Sequence, residues 1–284
     1  MRLFCFGFGY SAEALAHILS GRILALSGTR TSLSGSEPLL KPRLAAFQGD
    51  TASKHLRALL PGTTHMLVSI PPDLEGDAVL RLLREEIAAL PDLGWIGYLS
   101  TVGVYGDWQG QWVDETSPTR PKSERSLRRV QAERAWLDLG RETGKRVQVF
   151  RLSGIYGPGR SVIDNLKAGT ARRIVKPGQV FNRIHVDDIA QVLAAAIDSP
   201  STHSIYNVSD DEPAPPEDVV AYAAELLGLP TPPAIAFEAA GLDGMAASFW
   251  SECKRVSNAR VKADLGLELL YPTYREGLKA LAAT

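Results

Sequence analysis

A glycine-rich turn begins at the seventh residue, where Phe6-Gly7-Phe8-Gly9-Tyr10-Ser11-Ala12 forms a G-x-G-x-x-A pattern between an apolar run and a helical pattern. Gly7 permits a tight turn, Gly9 lets the backbone approach a pyrophosphate, and Ala12 lets the helix pack closely on the strand. The start of such a helix offers N–H donors and a positive dipole end to an anion. The pattern predicts that the chain opens with a strand–turn–helix unit able to bind a dinucleotide.

Strand-like runs alternate with helical patterns through the first two hundred residues. Strands are predicted at Leu3–Phe6, Ile23–Leu26, Leu44–Phe47, Thr64–Ile70, Trp95–Ser100, Val147–Leu152 and Ser204–Val208. Helices are predicted at Ser11–Leu19, Ala78–Leu90, Ser123–Leu139 and Asp188–Ile197. Strands separated by helix-length connections indicate βαβ crossovers and a parallel sheet. The fold class predicted is α/β, with a Rossmann-like doubly wound parallel sheet.

The pattern changes after about Pro200, where prolines become frequent and strand signals rare. Helical patterns at Pro216–Leu227 and Tyr274–Ala282 indicate a smaller, mostly helical C-terminal unit. We therefore predict a dinucleotide-binding domain formed by residues 1–154 and 185–209, and a substrate-binding domain formed by residues 155–184 and 210–284.

Composition excludes several classes of protein. The 284 residues are 45% hydrophobic, which excludes a disordered chain, and the net charge of −1 argues against a nucleic-acid partner. No apolar stretch approaches the roughly 20 residues of a membrane span, so no membrane partner is expected. The two cysteines, Cys5 and Cys253, have no metal-ligand spacing, and no metal site is predicted. These features predict a cytoplasmic protein.

The end of the second predicted strand bears on the choice of cofactor. NAD-preferring sites usually carry an Asp or Glu there for the ribose 2′-hydroxyl, but no acid occurs between Glu13 and Glu37. Arg30 stands where a guanidinium can pair with a 2′-phosphate. We therefore predict NADP, with NAD as the alternative. The competing interpretation makes Arg30 a solvated loop arginine.

Three further segments carry a resemblance to a known family. Tyr98–Gly106 (YLSTVGVYG) resembles the fifth-strand segment of the extended short-chain dehydrogenase/reductases, the NAD-dependent epimerase/dehydratase family. Arg151–Gly159 (RLSGIYGPG) resembles the segment after the sixth strand, and Ile184–Asp188 (IHVDD) resembles a later H-V-x-D motif. With the glycine turn these motifs occur in family order across residues 1–210. The resemblance implies a cleft between the sheet and a small substrate-binding domain.

The resemblance implies hydride transfer, with a Ser or Thr, a Tyr, and a Lys four residues after the Tyr. Thr101 falls on the Ser/Thr position. Counting back from Glu133 puts Arg129 at the lysine position and Arg125 at the tyrosine position, and no tyrosine occurs between Tyr105 and Tyr156. This departure is typical of the atypical branch of the family.

The two arginines change the chemistry that the resemblance implies. A guanidinium, with a pKa above about 12, cannot act as a general base near neutral pH. Arg129 can still replace the lysine as a fixed cation, and Arg125, four residues earlier on the same helix face, can join it in binding a carboxylate or phosphate. The competing interpretation is a solvated, salt-bridged face formed by Arg120, Arg125, Arg128, Arg129 and Arg134.

The proton donor stays open among Tyr105, Tyr156 and water. The predicted catalytic residues are Thr101, Arg125, Arg129 and Tyr105. The predicted cofactor-binding residues are Gly7, Phe8, Gly9, Tyr10, Ala12, Thr29, Arg30, Asp50, Ser69, Pro71, Ser100, Arg129, Leu152, Gly154 and Ile155.

Several neighbouring residues receive other roles. His185 is expected to be a structural hydrogen-bonding group, and Asp114 and Glu115 are expected to position their loop. Val102-Gly103 follows Thr101 where a dehydratase of the family would place Asp-Glu, which argues against sugar-nucleotide dehydration.

Two functions from different classes follow. The first is an NADP-dependent oxidoreductase or epimerase-like enzyme that acts on a small anionic or sugar-nucleotide substrate. The alternative is a non-catalytic dinucleotide-binding sensor or regulator, because loss of the Tyr-Lys pair is what such a protein would show. Candidate substrate contacts are Phe249, Trp250, Lys254 and Arg255. The competing interpretation makes Phe249 and Trp250 packing residues of the core. The resemblance also allows a homodimer through the helices predicted at Ala78–Leu90 and Ser123–Leu139.

Overall fold

The computed structural model describes residues 1–33, 38, 40–201 and 203–283. Its strands are β1 (Arg2–Phe6), β2 (Ala25–Arg30), β3 (Arg43–Ala46), β4 (His65–Val68), β5 (Trp95–Thr101), β6 (Trp112–Val113), β7 (Arg146–Leu152), β8 (Gly154–Tyr156), β9 (Arg173–Val175), β10 (Arg183–His185), β11 (Ile205–Val208), β12 (Ala234–Ala236) and β13 (Arg255–Val256).

The α-helices are α1 (Tyr10–Ile18), α2 (Lys54–Leu59), α3 (Ala78–Ala89), α4 (Glu124–Thr143), α5 (Val162–Lys167), α6 (Val186–Asp198), α7 (Pro216–Leu226), α8 (Gly244–Trp250), α9 (Ala259–Leu265) and α10 (Tyr274–Ala282).

Seven parallel strands form the central sheet, in the order β11-β7-β5-β4-β1-β2-β3. The chain builds outward from β1 through β2 to β3, then crosses back to add β4, β5, β7 and β11 on the other side of β1. The strand order therefore reverses between β1 and β4, and ligands of such sheets bind in the crevice beyond the strand ends at this point. The predicted doubly wound α/β fold is confirmed.

Alternation along β1 explains how both faces of the sheet are covered. Leu3 and Cys5 point into the core that packs against α1 and α6, whereas Phe4 and Phe6 point into the core beneath α2, α3 and α4. A parallel sheet buried on both faces needs apolar residues at successive positions, which is why the first strand reads as an unbroken apolar run. Burial also raises the pKa of the Cys5 thiol, as expected for an inert core cysteine.

The second strand differs from its prediction. The sequence predicts Ile23–Leu26, but β2 runs from Ala25 to Arg30. Gly28 lies inside the strand because its Cα packs against β1: a Cβ there would stand 2.6 Å from the carbonyl oxygen of Cys5. From the sequence alone, a glycine that a strand needs for close contact with its neighbour cannot be distinguished from a glycine that ends a strand.

The remaining elements form a smaller unit beside the sheet. It contains the strand pairs β8–β10 and β9–β12, and the helices α5, α7 and α10 share one apolar cluster. The later helix α9 instead packs against the sheet, because Val261 is fully buried in the core with α1 and α6. The predicted division assigns α9 to the substrate-binding domain, whereas the structure buries it in the core of the sheet domain. No helix in the described part of the chain is long and apolar enough to cross a membrane.

Candidate functional site

A cleft of about 1520 Å³ opens at the carboxyl ends of the central strands. Small-molecule sites usually occupy about 300–1,000 Å³, so the cleft has room for a large cofactor and a second ligand. Its sheet side is lined by Gly7, Phe8, Gly9, Tyr10, Thr29, Arg30, Ser69, Ile70, Pro71, Ser100, Thr101, Arg129, Leu152, Ser153, Gly154 and Ile155. Ala12 is buried between α1 and the sheet instead, in keeping with its predicted packing role.

The two glycines of the turn have different physical requirements. Gly7 has a φ of +83°, and a Cβ there would lie 2.6 Å from Ser69 Oγ. Its amide donates to Thr29 Oγ1 over 2.9 Å, and its carbonyl accepts from Ser69 Oγ over 2.6 Å. A Cβ on Gly9 would meet nothing within 4 Å, and no described side chain caps the start of α1. The turn therefore leaves open space before a helix N-terminus, which fits a pyrophosphate.

Arg30 is anchored at the end of β2 and borders the cleft. Its Nε donates to the carbonyl of Phe8 over 2.9 Å, and its Nη2 pairs with the carboxylate of Glu13. The side chain stays 24% exposed. The guanidinium is thus held beside the glycine turn, and the interpretation of Arg30 as a solvated loop arginine does not match this placement.

Asp50 does not reach the cleft, contrary to its prediction as a cofactor contact. It is exposed, and its Oδ1 accepts the amide of its neighbour Thr51 over 2.8 Å. The preceding residues Phe47, Gln48 and Gly49 line the cleft instead. The turn after β3 directs the aspartate outward, and the sequence carries no signal for that direction.

Thr101 and Arg129 meet at the end of β5. Thr101 Oγ1 accepts the amide of Gly103 over 3.1 Å, and Arg129 Nη1 donates to the carbonyl of Leu99 over 2.7 Å and to Tyr98 Oη over 3.2 Å. Arg129 is therefore a fixed cation at the cleft wall, directed at the strand end and not into bulk solvent. Helix α4, which carries it, contains neither tyrosine nor lysine.

Arg125 lies one turn earlier on α4 and is half-buried at the edge of the cleft. Its Cζ stands 4.7 Å from the ring centroid of Phe249, which lines the cleft and is 52% exposed. The contact joins the N-terminal turn of α4 to α8. Arg125 thus contacts a residue of the cleft wall but does not itself line the cleft, contrary to its prediction as a catalytic residue.

The position of Tyr105 contradicts its prediction as a proton donor. The side chain is fully buried outside the cleft lining; its hydroxyl donates to Asn207 Oδ1 over 2.7 Å and accepts from Arg151 Nη1 over 2.9 Å. A short 3₁₀ turn over Val102–Tyr105 directs the ring into the core, although Thr101 is only four residues away. A catalytic role for Tyr105 is therefore incompatible with the structure.

Tyr156 lines the cleft, but its hydroxyl is buried against α10. A Cβ on Gly277 of α10 would stand 2.7 Å from Tyr156 Cε2, and closer still to the hydroxyl. His185, edge-on to Tyr156 at 5.1 Å, begins α6 by accepting the amide of Asp187 at Nδ1 over 3.2 Å. Burial lowers the pKa of His185. The histidine therefore has the structural role that the sequence predicts.

Two acidic residues of the loop after β6 also occupy structural positions. Asp114 accepts from Thr116 and Ser117, and the Oε1 of Glu115 accepts the amide of Asn207 over 2.8 Å. Asp114 therefore fixes the conformation of the loop, and Glu115 holds the loop against the end of β11, so both carboxylates position the loop as the sequence analysis expects.

The second unit supplies the far wall of the cleft. Phe249, Trp250 and Lys254 line it, whereas Arg255 points away and donates to the carbonyl of Gly110. Sequence reasoning missed further polar residues of this wall: Arg160, Ser161, Asp164, Asn165, Asn182, Arg183 and Glu252. Two of them had a usable signal, because Arg160 directly follows the motif Arg151–Gly159 and Arg183 directly precedes the motif Ile184–Asp188.

The sequence model of the NAD dependent epimerase/dehydratase family matches residues 80–209, which run from α3 to just beyond β11 and make up less than half of the chain. Over this segment the chain is similar to the family. The family match includes Thr101, Arg125 and Arg129 and confirms the resemblance that the motifs carry.

Individual relatives match the chain over nearly its whole length. It is 28% identical to Protein YeeZ of Escherichia coli K12, with 94% of each chain covered. It is 48% identical to a functionally unknown conserved protein from Silicibacter pomeroyi, whose structure superposes with a TM-score of 0.89 over 99% of this chain and 98% of that one. The structure of human epimerase family protein SDR39U1 with NADPH is 19% identical, with a TM-score of 0.78 over 100% and 99% of the two chains, and shows a shared fold.

Proposed function

We propose that this chain is an NADP(H)-dependent oxidoreductase that acts on a small anionic carbonyl substrate. The main support for this proposal is that the cleft is continuous. It runs from the glycine turn past Thr101 and Arg129 to the aromatic wall formed by Phe249 and Trp250. A ligand at the turn and a second ligand at the wall would meet beside Thr101. Such an arrangement suits transfer between a bound cofactor and a separate substrate.

The residues at the turn fit a phosphorylated dinucleotide. The open space at Gly9 and the start of α1 would hold the pyrophosphate, and Arg30 would pair with a 2′-phosphate. Arg30 is paired with Glu13 and retains exposed surface, so the carboxylate steadies a guanidinium that still faces the cleft. The fold shared with a human relative described with NADPH supports a nicotinamide dinucleotide at this turn, and the choice of NADP rests on Arg30. A bound nicotinamide would supply the hydride chemistry.

Around the reacting atoms this chain would act by orientation and charge. Thr101 would hydrogen-bond the reacting oxygen, and Arg129 would hold positive charge beside it. A guanidinium does not act as a base near neutral pH, so Arg129 would stabilise negative charge but would not take up a proton. Because the hydroxyls of Tyr105 and Tyr156 are buried against other parts of the fold, water is the proton donor that we propose.

The aromatic wall indicates the substrate class. Phe249 offers an exposed ring with Arg125 stacked on its face, and Trp250 packs edge-on against Phe181 at 5.1 Å. Apolar surface beside Arg125 and Arg129 suits a carboxylate or phosphate attached to an apolar body. We therefore place the anionic end of the substrate toward α4 and its apolar end toward α8.

Cofactor binding tests the first part of this proposal. Arg30→Ala should raise the Kd of NADPH at least about tenfold and change that of NADH little, because one charge-assisted contact is lost. The matched control is Arg22→Ala, since Arg22 pairs with Asp198 away from the cleft. Equal affinities of the wild-type protein for NADPH and NADH would contradict the NADP assignment.

Turnover tests the second part. Oxidation of NADPH should be measured across a panel of 2-oxo acids and phosphorylated aldehydes, with Thr101→Ala expected to slow the reaction about a hundredfold. Thr143→Ala is the control, because Thr143 lies at the far end of α4. A wild-type protein that binds NADPH tightly but turns over no member of the panel would favour a non-catalytic sensor. That second function is suggested by the absence of tyrosine and lysine from α4.

A further inference from the structure

A tight turn of the second unit approaches the glycine turn across the cleft. Gly157 and Arg160 exchange backbone hydrogen bonds of 3.2 and 3.0 Å around Pro158 and Gly159. Proline at the second position and a glycine with a φ of +70° at the third are the signature of a type II turn. Such a turn has little conformational freedom, so the Cα of Arg160 is held in one place.

The same turn is seated on the first residue of α1. Tyr10 Oη donates to the carbonyl of Pro158 over 3.1 Å. Gly157 has no room for a side chain, because a Cβ would lie 2.8 Å from Val186 Cγ1 and closer still to Tyr10 Oη. The sheet domain and the second unit are therefore in direct contact at the point where α1 begins.

Arg160 extends from this turn over the start of α1. Its Cζ lies 6.0 Å from the ring centroid of Tyr10, and it lines the cleft together with Gly9. Arg160 is exposed, and within the described chain it forms no ion pair. The neighbouring carboxylate of Asp164 is hydrogen-bonded to Ser161 Oγ over 2.6 Å. The guanidinium is thus a positive charge beside a helix N-terminus, with no ion-pair partner among the described residues.

We infer that Arg160 is a phosphate ligand contributed by the second unit, and that it closes over the pyrophosphate of the dinucleotide bound at the glycine turn. The inference rests on the proposed function. Two positive features, the start of α1 and Arg160, would then face the same doubly charged group from opposite sides of the cleft. Because Arg160 and Tyr10 come from different units, dinucleotide binding would also strengthen the contact between them.

The test compares two probes that differ in the pyrophosphate. NADPH carries it, whereas adenosine 2′-phosphate carries only the group expected at Arg30. Arg160→Ala should raise the Kd of NADPH about tenfold and leave that of adenosine 2′-phosphate unchanged, while Arg30→Ala should weaken both. Arg160→Lys should recover part of the loss. Arg134→Ala, at an exposed arginine of α4 outside the cleft, should bind both probes as the wild type does.

The outcomes separate this inference from the proposed function. If wild-type protein binds neither NADPH nor NADH, the proposed function fails. If wild-type protein binds NADPH and Arg160→Ala binds it equally well, only the role of Arg160 is refuted. If Arg160→Ala weakens adenosine 2′-phosphate as much as NADPH, the arginine acts on the nucleoside end of the ligand and the pyrophosphate assignment is wrong.

Discussion

Glu133 and Arg151 form an ion pair that is buried on both sides, with Arg151 Nη2 2.7 Å from Glu133 Oε2 and side chains 4% and 6% exposed. Ser100 Oγ donates to the second oxygen of Glu133 over 2.5 Å, and Arg151 also donates to Tyr105 Oη. The pair therefore links α4, β5 and β7 beneath the cleft, and it determines the position of Ser100, the residue before Thr101.

Removal of one partner of this pair should destabilise the protein strongly. Glu133→Ala leaves Arg151 buried without its carboxylate, and the free energy of unfolding should fall by about 3–5 kcal/mol, because a buried charge loses its counterion. The control lies on the same helix: Glu142 pairs with Arg84 over 2.6 Å but is 61% exposed. Glu142→Ala should cost less than about 1 kcal/mol, as exposed ion pairs do. Denaturant unfolding that gives equal losses for the two variants would contradict the dominant role of burial.

Gly277→Ala should destabilise the protein, although alanine normally favours a helix. The usual gain is about 0.5–1 kcal/mol, but here the new methyl group would overlap the ring and hydroxyl of Tyr156, at a cost of about 1–3 kcal/mol. Tyr156→Phe removes the closest atom, so the double variant should recover part of the loss in thermal melting. Additive effects of the two substitutions would show that the residues do not touch.

Asp210 should make stability depend on pH. Burial raises its pKa to about 8, although the Arg183 guanidinium and the backbone of Glu212 oppose the rise. The folded protein therefore retains a proton that the unfolded chain releases above about pH 4. The contribution of Asp210 to the free energy of unfolding therefore decreases as the pH rises from about 4 to about 8, by up to about 1.4 kcal/mol per pH unit.

Asp210→Asn keeps the shape of the side chain and removes the titration. The variant's gain in unfolding free energy over the wild type should increase steadily from pH 5 to pH 8 in urea titrations. Asp198→Asn is the comparison, because its pairing with Arg22 lowers the pKa of Asp198. A constant difference between Asp210→Asn and the wild type across this range would mean that Asp210 titrates normally.

Substitutions at the two glycines of the turn should separate an effect on folding from an effect on cofactor binding. Gly7→Ala forces a side chain into a positive φ and against Ser69, so it should lower stability by about 1–3 kcal/mol. Gly9→Val places its side chain in open space with an extended backbone, so melting should shift little while NADPH affinity falls at least about tenfold. If Gly9→Val binds NADPH normally, the turn is not the pyrophosphate site.

Much of the candidate site could be predicted from sequence because a parallel sheet brings the ends of its strands to one edge. Residues that directly follow apolar runs, such as Thr29, Ser69 and Thr101, therefore line one cleft although they are distant in the chain. Motif spacing also placed Arg129 on the correct helix. These predictions needed only the order and direction of the elements.

Side-chain direction was not predictable in the same way. Tyr105 and Tyr156 occupy motif positions beside the cleft, but their hydroxyls turn toward Asn207 and Gly277, which come from remote parts of the chain. A buried hydroxyl takes the direction in which its partners or free space lie, and those are set by packing between elements. For the same reason a polar turn residue such as Asp50 gave no indication that it would face solvent.

The sequence by itself determined the doubly wound sheet, the glycine-rich turn and the absence of tyrosine and lysine from α4, because periodicity and motif spacing are properties of short stretches of the chain. Only the tertiary structure decided that Tyr105 is part of a buried network, that Arg125 stacks on Phe249, and that Arg160 reaches the start of α1. Each of these contacts joins residues whose distance is set by the docking of separate elements. That docking depends on the fit of whole surfaces, which no single segment encodes.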